Sequence, residues 1–206
     1  MRKVRKEESK ENPLLVVISG PSGVGKDTVL AHLRKKRGST RFMVTVTTRP
    51  RRAGERDGLD YHFVSLQEFE RIQAEDGFLE SAQVYGHRYG VPKGQLKKAL
   101  ARGEDVVVKV DVQGAATIKS IVPEAVFIFL APPSMEELEG RLRQRKTEPD
   151  HDLKLRAETA CQEMESLPMF DYVVTNHRDR LELTLSQIEA IITAEKCRVK
   201  PRSIEI

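Results

Sequence analysis

Along most of the chain, short apolar runs alternate with stretches of helical periodicity. Leu14 to Ser19 reads LLVVIS between Pro13 and Gly20, the appearance of a strand buried on both faces of a parallel sheet. From Lys26 onward Val29, Leu30 and Leu33 fall at helical spacing and Gly38 marks the far end, so a β-loop-α unit opens the chain. Asp105 to Val112 (DVVVKVDV) and Ala125 to Leu130 (AVFIFL) predict two more strands with a helical stretch, Gly114 to Ile121, between them, and Tyr172 to Thr175 predicts a shorter fourth. Ser134-Met135-Glu136-Glu137, after Pro132 and Pro133, is a capping box that opens a helix, and Asp179 to Glu195 predicts the closing one. Helices alternating with strands imply a mostly parallel sheet flanked by helices, a doubly wound α/β core.

Two segments break this rhythm. Within 42 to 90, Phe42 to Thr47 alternates, a helix capped by Ser65 and Glu68 leads to the strand Phe78 to Val84, and Tyr85 to Gly90 suggests a tight hairpin. This predicts a small inserted α+β lobe. From 141 to 156 (RLRQRKTEPDHDLKLR) arginines crowd between two helical stretches. No internal repeat or low-complexity segment is present.

Composition narrows the class. A chain of 206 residues, 39% hydrophobic and 32% charged, is long enough for one domain with insertions and far from the disordered or membrane extremes. No run approaches the apolar length of a membrane span, and the charged opening MRKVRKEESKEN predicts a disordered tail over 1–12 where a secretory signal would be apolar. That tail carries half of the net charge of +4, so the body is nearly balanced. It suits small anionic ligands and, lacking an aromatic-rich basic stripe, is not expected to bind nucleic acid. Cys161 and Cys197 stand in no metal-ligand spacing and read as reduced structural thiols of a cytoplasmic protein.

Chemistry enters at Gly20-Pro21-Ser22-Gly23-Val24-Gly25-Lys26, which follows the first strand and opens the first helix. That is the context of a Walker A loop: glycines let backbone N–H groups converge on phosphate oxygens, the helix start adds its dipole, and Lys26 supplies charge to the β- and γ-phosphates. Where Ser or Thr normally follows the lysine to ligate Mg²⁺, this chain has Asp27, with Thr28 next. A carboxylate is a competent Mg²⁺ ligand, directly or through water, so Asp27 is a candidate for that role.

A second signal is Val44-Thr45-Val46-Thr47-Thr48-Arg49-Pro50-Arg51-Arg52-Ala53-Gly54-Glu55, followed by Asp60-Tyr61-His62-Phe63. With the P-loop, Phe78-Leu79-Glu80, Tyr89-Gly90 and Asp111-Val112-Gln113-Gly114, it strongly resembles guanylate kinase, in order and spacing, from about Leu14 to Glu195. The resemblance implies transfer of the γ-phosphoryl group of ATP to GMP, and to dGMP as well, with Mg²⁺ as cofactor.

It also implies residue roles. Gly20 to Lys26, Asp27, Thr28 and Asn176 match the ATP side. Arg49 and Arg52 match arginines that hold the GMP phosphate, a task suited to a guanidinium fork, and Tyr61 and Tyr89 match tyrosines whose hydroxyls share it. Glu80 matches the residue that reads the base, since guanine offers N1–H and N2–H₂ as paired donors to one carboxylate and adenine offers no such pair. Thr45 matches a hydroxyl position beside the base. Asp111 ends an apolar strand at the carboxyl edge of the sheet, where ligands of open α/β folds bind, and its share between guanine and metal-bound water stays open. Arg141, Arg145 and Arg156 match lid arginines that clamp the ATP phosphates and the transferring group. Lys26, Arg49 and these three are the expected catalytic cations; Asp27 and Asp111 are the expected metal contacts.

The chain departs from the family pattern at Asp27, at Lys109 where an acid is usual, at Val91 where a hydroxyl residue is common, and at Lys146 where a glycine is common. The expected organisation is one domain over 13–206: a P-loop NTPase core (13–43, 99–133, 166–206), a GMP-binding lobe (44–98) and a helical lid (134–165). A monomer or homodimer with no membrane partner is expected. Two rivals share features, a phosphoprotein-binding scaffold domain of the same fold and a P-loop kinase acting on a sugar phosphate. Glu80 and the tyrosines disfavour the second, while the intact P-loop, Lys26 and the lid arginines disfavour the first.

Overall fold

The computed structural model describes residues 12–38, 40–144 and 150–206, without side chains for 144 and 150–157. The expected Arg145 falls outside the described residues, as does the side chain of Arg156.

In chain order the elements are β1 (Leu15–Ser19), α1 (Lys26–Lys36), β2 (Arg41–Phe42), β3 (Val46–Thr47), β4 (His62–Phe63), α2 (Leu66–Ala74), β5 (Phe78–Val84), β6 (His87–Pro92), α3 (Lys93–Ala101), β7 (Val106–Lys109), α4 (Val112–Ile121), β8 (Val126–Ala131), α5 (Met135–Gln144), α6 (Asp150–Glu165), a 3₁₀ turn at Leu167–Met169, β9 (Tyr172–Thr175) and α7 (Leu181–Lys196). A five-stranded sheet in the order β2-β7-β1-β8-β9 is parallel throughout. It is the parallel core that the alternation of strands and helices predicts.

Period-two alternation explains how this sheet is covered on both sides. Val16 and Ile18 of β1 face a cluster with Leu30 and Leu33 of α1, Leu138 of α5, and Leu185 and Ile188 of α7. Leu15 and Val17 face the opposite cluster, with Leu96 of α3 and Ala115 and Ile118 of α4. Every residue of β1 is fully buried, so the loop leaving it starts from a rigid base.

The second sheet, β4-β3-β6-β5, is small and mixed: β3 pairs parallel with β4 and antiparallel with β6, which pairs antiparallel with β5. Ser65 caps α2 by accepting the Glu68 N–H at 3.1 Å, as expected. The hairpin closes at Tyr85-Gly86, both with positive φ (48° and 77°), the two-residue geometry whose twist matches that of the strands.

Two expected boundaries shift for physical reasons. The alternating stretch Phe42 to Thr47 is two strands, because β2 pairs with β7 of the first sheet and β3 with β4 and β6 of the second. The strand expected over Asp105 to Val112 ends at Lys109, because Asp111 adopts the N-cap conformation and accepts the Gly114 N–H at 2.9 Å, starting α4 at Val112.

Candidate active site

The carboxyl ends of β1 and β7 open onto a cavity of about 680 Å³ that the second sheet walls on its far side. At one end lies the P-loop, with positive φ at Gly20, Gly23 and Gly25 (142°, 86° and 102°). Gly20 admits no side chain, since a Cβ there would meet the Leu130 carbonyl oxygen of β8 at 2.2 Å. The loop is held from behind: Val24, fully buried, presents its carbonyl to Asn176 Nδ2 at 2.7 Å and to Arg141 at 2.9 Å. Asn176 is oriented by the Thr184 hydroxyl, which donates to its Oδ1 at 3.2 Å, and Arg141 also binds the Asn176 carbonyl and Glu137. Asn176 and Arg141 thus support the P-loop through Val24 and, like Thr28, which is exposed on α1, are not among the residues lining the cavity.

Lys26 Nζ donates to the carbonyls of Gly20 at 2.5 Å and Pro21 at 3.1 Å. Burial lowers its pKa, against the pull of Glu163, Asp27 and Asp111. Glu163, on α6, is a residue that sequence reasoning passed over. Its Oε2 accepts the Ser22 N–H at 3.2 Å, so a carboxylate sits on one of the amides that a phosphate oxygen would use. Burial raises its pKa and Lys26 draws it back.

Between the ends the cavity is cationic and aromatic. Arg49, 8% exposed, binds the Glu55 carboxylate and the Pro50 carbonyl, each at 2.7 Å, and stacks over the rings of Tyr61 and Phe63. Glu55 also accepts the Arg52 N–H at 2.7 Å, so the acid that closes the TTRxxRxGE element fixes the turn between the two arginines. Arg52 and Tyr89 line the same wall, and Tyr89 meets Tyr61 edge-on at 6.0 Å.

Glu80 stands at the other end. In β5 the pairing register with β6 shifts between Phe78 and Glu80, and Phe78, Leu79 and Glu80 are all buried. Across this irregularity three consecutive residues are buried, where strict alternation would bury every second one. Its Oε2 is buried with no hydrogen-bond partner among the described residues. Burial, reinforced by Asp111, pushes its pKa up to about 8. A Cβ on Gly114 would come within 2.9 Å of Glu80 Oε2 and 3.0 Å of Asp111 Oδ1, so the glycine of the Asp111-Val112-Gln113-Gly114 motif makes room for these two carboxylates. Thr45, 5% exposed, donates to the Lys109 carbonyl at 3.3 Å beside them.

An orphaned buried carboxylate facing a phosphate cradle across a band of arginines and tyrosines is a site for a small ligand carrying a phosphate and paired N–H donors. Among sequence families, the model of guanylate kinase, described by that name, matches residues 12–195. The chain belongs to the guanylate kinase family. It is 47% identical over 190 residues to the guanylate kinase of Caldanaerobacter subterraneus subsp. tengcongensis, covering 92% of this chain and 91% of that one. It is 43% identical to the guanylate kinase of Carboxydothermus hydrogenoformans, covering 91% of each. The crystal structure of guanylate kinase from Anaplasma phagocytophilum superposes with a TM-score of 0.74 at 32% identity, covering 92% of this chain and 89% of that one.

The cavity lining thus joins Lys26, Asp27, Thr45, Arg49, Arg52, Tyr61, Glu80, Tyr89 and Asp111 across two sheets. Among the described residues no cluster of three or more His, Cys, Asp or Glu forms a metal cage, and no helix is long and apolar enough to cross a membrane. The donor set fits a Mg²⁺ ion that keeps most of its ligands as water and phosphate oxygen, needing one or two carboxylates from the protein. Asp27 and Asp111 both line the cavity.

Proposed function

We propose that this chain transfers the γ-phosphoryl group of ATP to GMP, giving ADP and GDP, in purine nucleotide metabolism. The observation that carries the reading is the buried carboxylate of Glu80, unpartnered among the described residues, set across one cavity from the P-loop with Arg49, Tyr61 and Tyr89 between. Guanine completes it: N1–H and N2–H₂ supply two donors to two carboxylate oxygens, whereas adenine would leave a buried acid unpaired, at a cost large enough to exclude it.

The acceptor is a phosphate oxygen that is already anionic, so the chemistry needs no strong general base. A bond forms between that oxygen and the γ-phosphorus as the bond to the β,γ-bridging oxygen breaks, and its electron pair leaves with ADP. The chain's part is alignment and charge. The P-loop amides and Lys26 hold the donor, while Arg49, Arg52, Tyr61 and Tyr89 hold the acceptor phosphate. The charge neutralisation at the donor phosphates would come from Mg²⁺, whose water shell Asp111 and Asp27, the latter shared with Lys109, would hold. The segment 44–98 serves as the acceptor lobe and 134–165 as the lid over the core, with Arg141, Arg145 and Arg156 closing on the phosphates, Asn176 on the adenine side, and water excluded on closure. The same reading carries dGMP as an acceptor and a cytoplasmic location.

A panel of nucleoside monophosphates with Mg²⁺·ATP, followed by ADP formation and run beside Glu80→Ala, tests the proposal. GMP is expected as the preferred acceptor, with the preference lost in the variant. AMP accepted as readily as GMP would overturn the substrate; no ADP with any acceptor would make the chain a binding domain.

A further inference from the structure

Two departures from the family pattern meet in this structure. Asp27 follows the P-loop lysine, and Lys109 ends β7 where an acid is usual, 82 positions away. The Lys109 ammonium donates to Asp27 Oδ1 and, at 2.8 Å, to the Tyr61 hydroxyl, and it lies 4.0 Å from the centre of the Tyr61 ring. Asp27 belongs to the first turn of α1 on the donor side, and Tyr61 precedes β4 on the acceptor side. Lys109, its side chain 12% exposed, spans them from the floor of the cavity.

Mutual neutralisation does not account for this placement. A pair kept only to cancel its own charges is replaced without loss by two neutral side chains, and this cation is instead brought near Lys26, whose ammonium it disfavours. An ammonium can donate three hydrogen bonds, and two are made among the described residues. Lys26 and Arg49 line the same cavity, and the hydroxyl on which Lys109 rests is one assigned above to the acceptor phosphate.

We propose that Lys109 is a phosphate-binding residue of the acceptor site, held between Asp27 and Tyr61 so that its charge lies against the GMP phosphate. The proposal rests on the function proposed above and adds to it a cation that the family pattern lacks. With Lys109 in place the acceptor phosphate is neutralised before the donor arrives, which lowers the repulsion between two anions brought into line. Asp27 acts through Lys109 as its positioning residue.

The decisive comparison is GMP binding by isothermal titration calorimetry, in EDTA and without ATP, of the full chain, Lys109→Met, and the double variant Asp27→Asn/Lys109→Met, which keeps the net charge of the parent. Loss of a charged hydrogen-bond donor to phosphate is expected to weaken GMP binding by roughly ten- to a hundredfold in both variants, while guanosine, which has no phosphate, binds as before. In turnover the double variant raises KM for GMP. Parent-like GMP affinity in the double variant would reduce Lys109 to a counterion of Asp27, and equal losses for GMP and guanosine would place its effect away from the phosphate; either result overturns the proposal. Thermal unfolding checks each variant, and Asp27→Asn/Lys109→Gln supplies the same comparison should the methionine form fail to fold. A parent chain that binds no GMP would instead remove the underlying function, so the two failures are distinguishable.

Discussion

Between pH 7 and pH 9 the affinity of the ligand-free chain for GMP is expected to rise, and the size of the rise follows from Glu80. Its side chain is 5% exposed, and burial, reinforced by Asp111, pushes its pKa up to about 8. Guanine presents only donors on the edge concerned, so it requires the ionised carboxylate; a protonated carboxyl would set its own O–H against one of them. At pH 7 about one molecule in eleven is ionised and at pH 9 about ten in eleven, so the apparent Kd falls about tenfold, equivalent to ~1.4 kcal/mol. Binding at pH 7 accordingly releases about 0.9 proton per GMP. Calorimetry in two buffers of different protonation enthalpy measures that proton directly, and Glu80→Gln abolishes it. The nucleotide's own phosphate, with a second pKa near 6, stays largely dianionic across this window.

The same carboxyl sets a sign for stability. Its folded pKa lies above its ordinary value of 4.5, so between 4.5 and about 8 the folded chain binds more protons than the unfolded one. The stability contribution of the neutral carboxyl is therefore full below pH 4.5 and is lost as pH rises through about 8. The Tm of the parent should fall over that window relative to Glu80→Gln, and GMP should oppose the fall. A pH-independent Kd together with no proton release would show that Glu80 is already ionised in the free chain, and the inference from burial to a neutral acid would be refuted.

Two further outcomes follow from contacts at the ends of the cavity. Gly114→Ala drives a methyl group to 2.9 Å from Glu80 Oε2, so it should destabilise the fold by about 1–3 kcal/mol and raise KM for GMP while leaving KM for ATP unchanged; steady-state kinetics with each substrate varied in turn checks the split. Glu163→Gln keeps an acceptor for the Ser22 N–H but removes a negative charge from the phosphate cradle, so ATP should bind severalfold tighter in low salt and the gain should shrink at about 1 M salt, where screening acts within about 3 Å. Unchanged ATP affinity at low salt would show that Glu163 does not compete with the triphosphate.

What the chain discloses before folding depends on whether the decisive contacts are local. β1, the P-loop and α1 are legible because a continuous apolar run, a glycine-rich turn and a helical stripe lie within 14–36, although Arg141, Glu163 and Asn176 reach the loop from 117, 141 and 152 positions away. Glu80 is legible as a site residue only through its motif; the register irregularity beside it exists only once β5 pairs with β6. Likewise the alternation over Phe42 to Thr47 shows exposure but not which sheet each half joins, since that is decided by β7 on one side and β4 and β6 on the other. Glu163 sits in a polar helix with no motif of its own, and its meeting with Ser22 spans 141 positions. Asp27 and Lys109 are conspicuous singly, as departures of opposite sign, but a change of charge at two positions does not specify contact. Their junction at Tyr61 requires the carboxyl end of β7 to be brought between α1 and β4, which is the product of the parallel pairing of β1 with β7. The chemistry of the site is therefore carried by residue types that can be read one at a time, whereas the state of each group, paired, buried or neutral, belongs to the packing that brings them together.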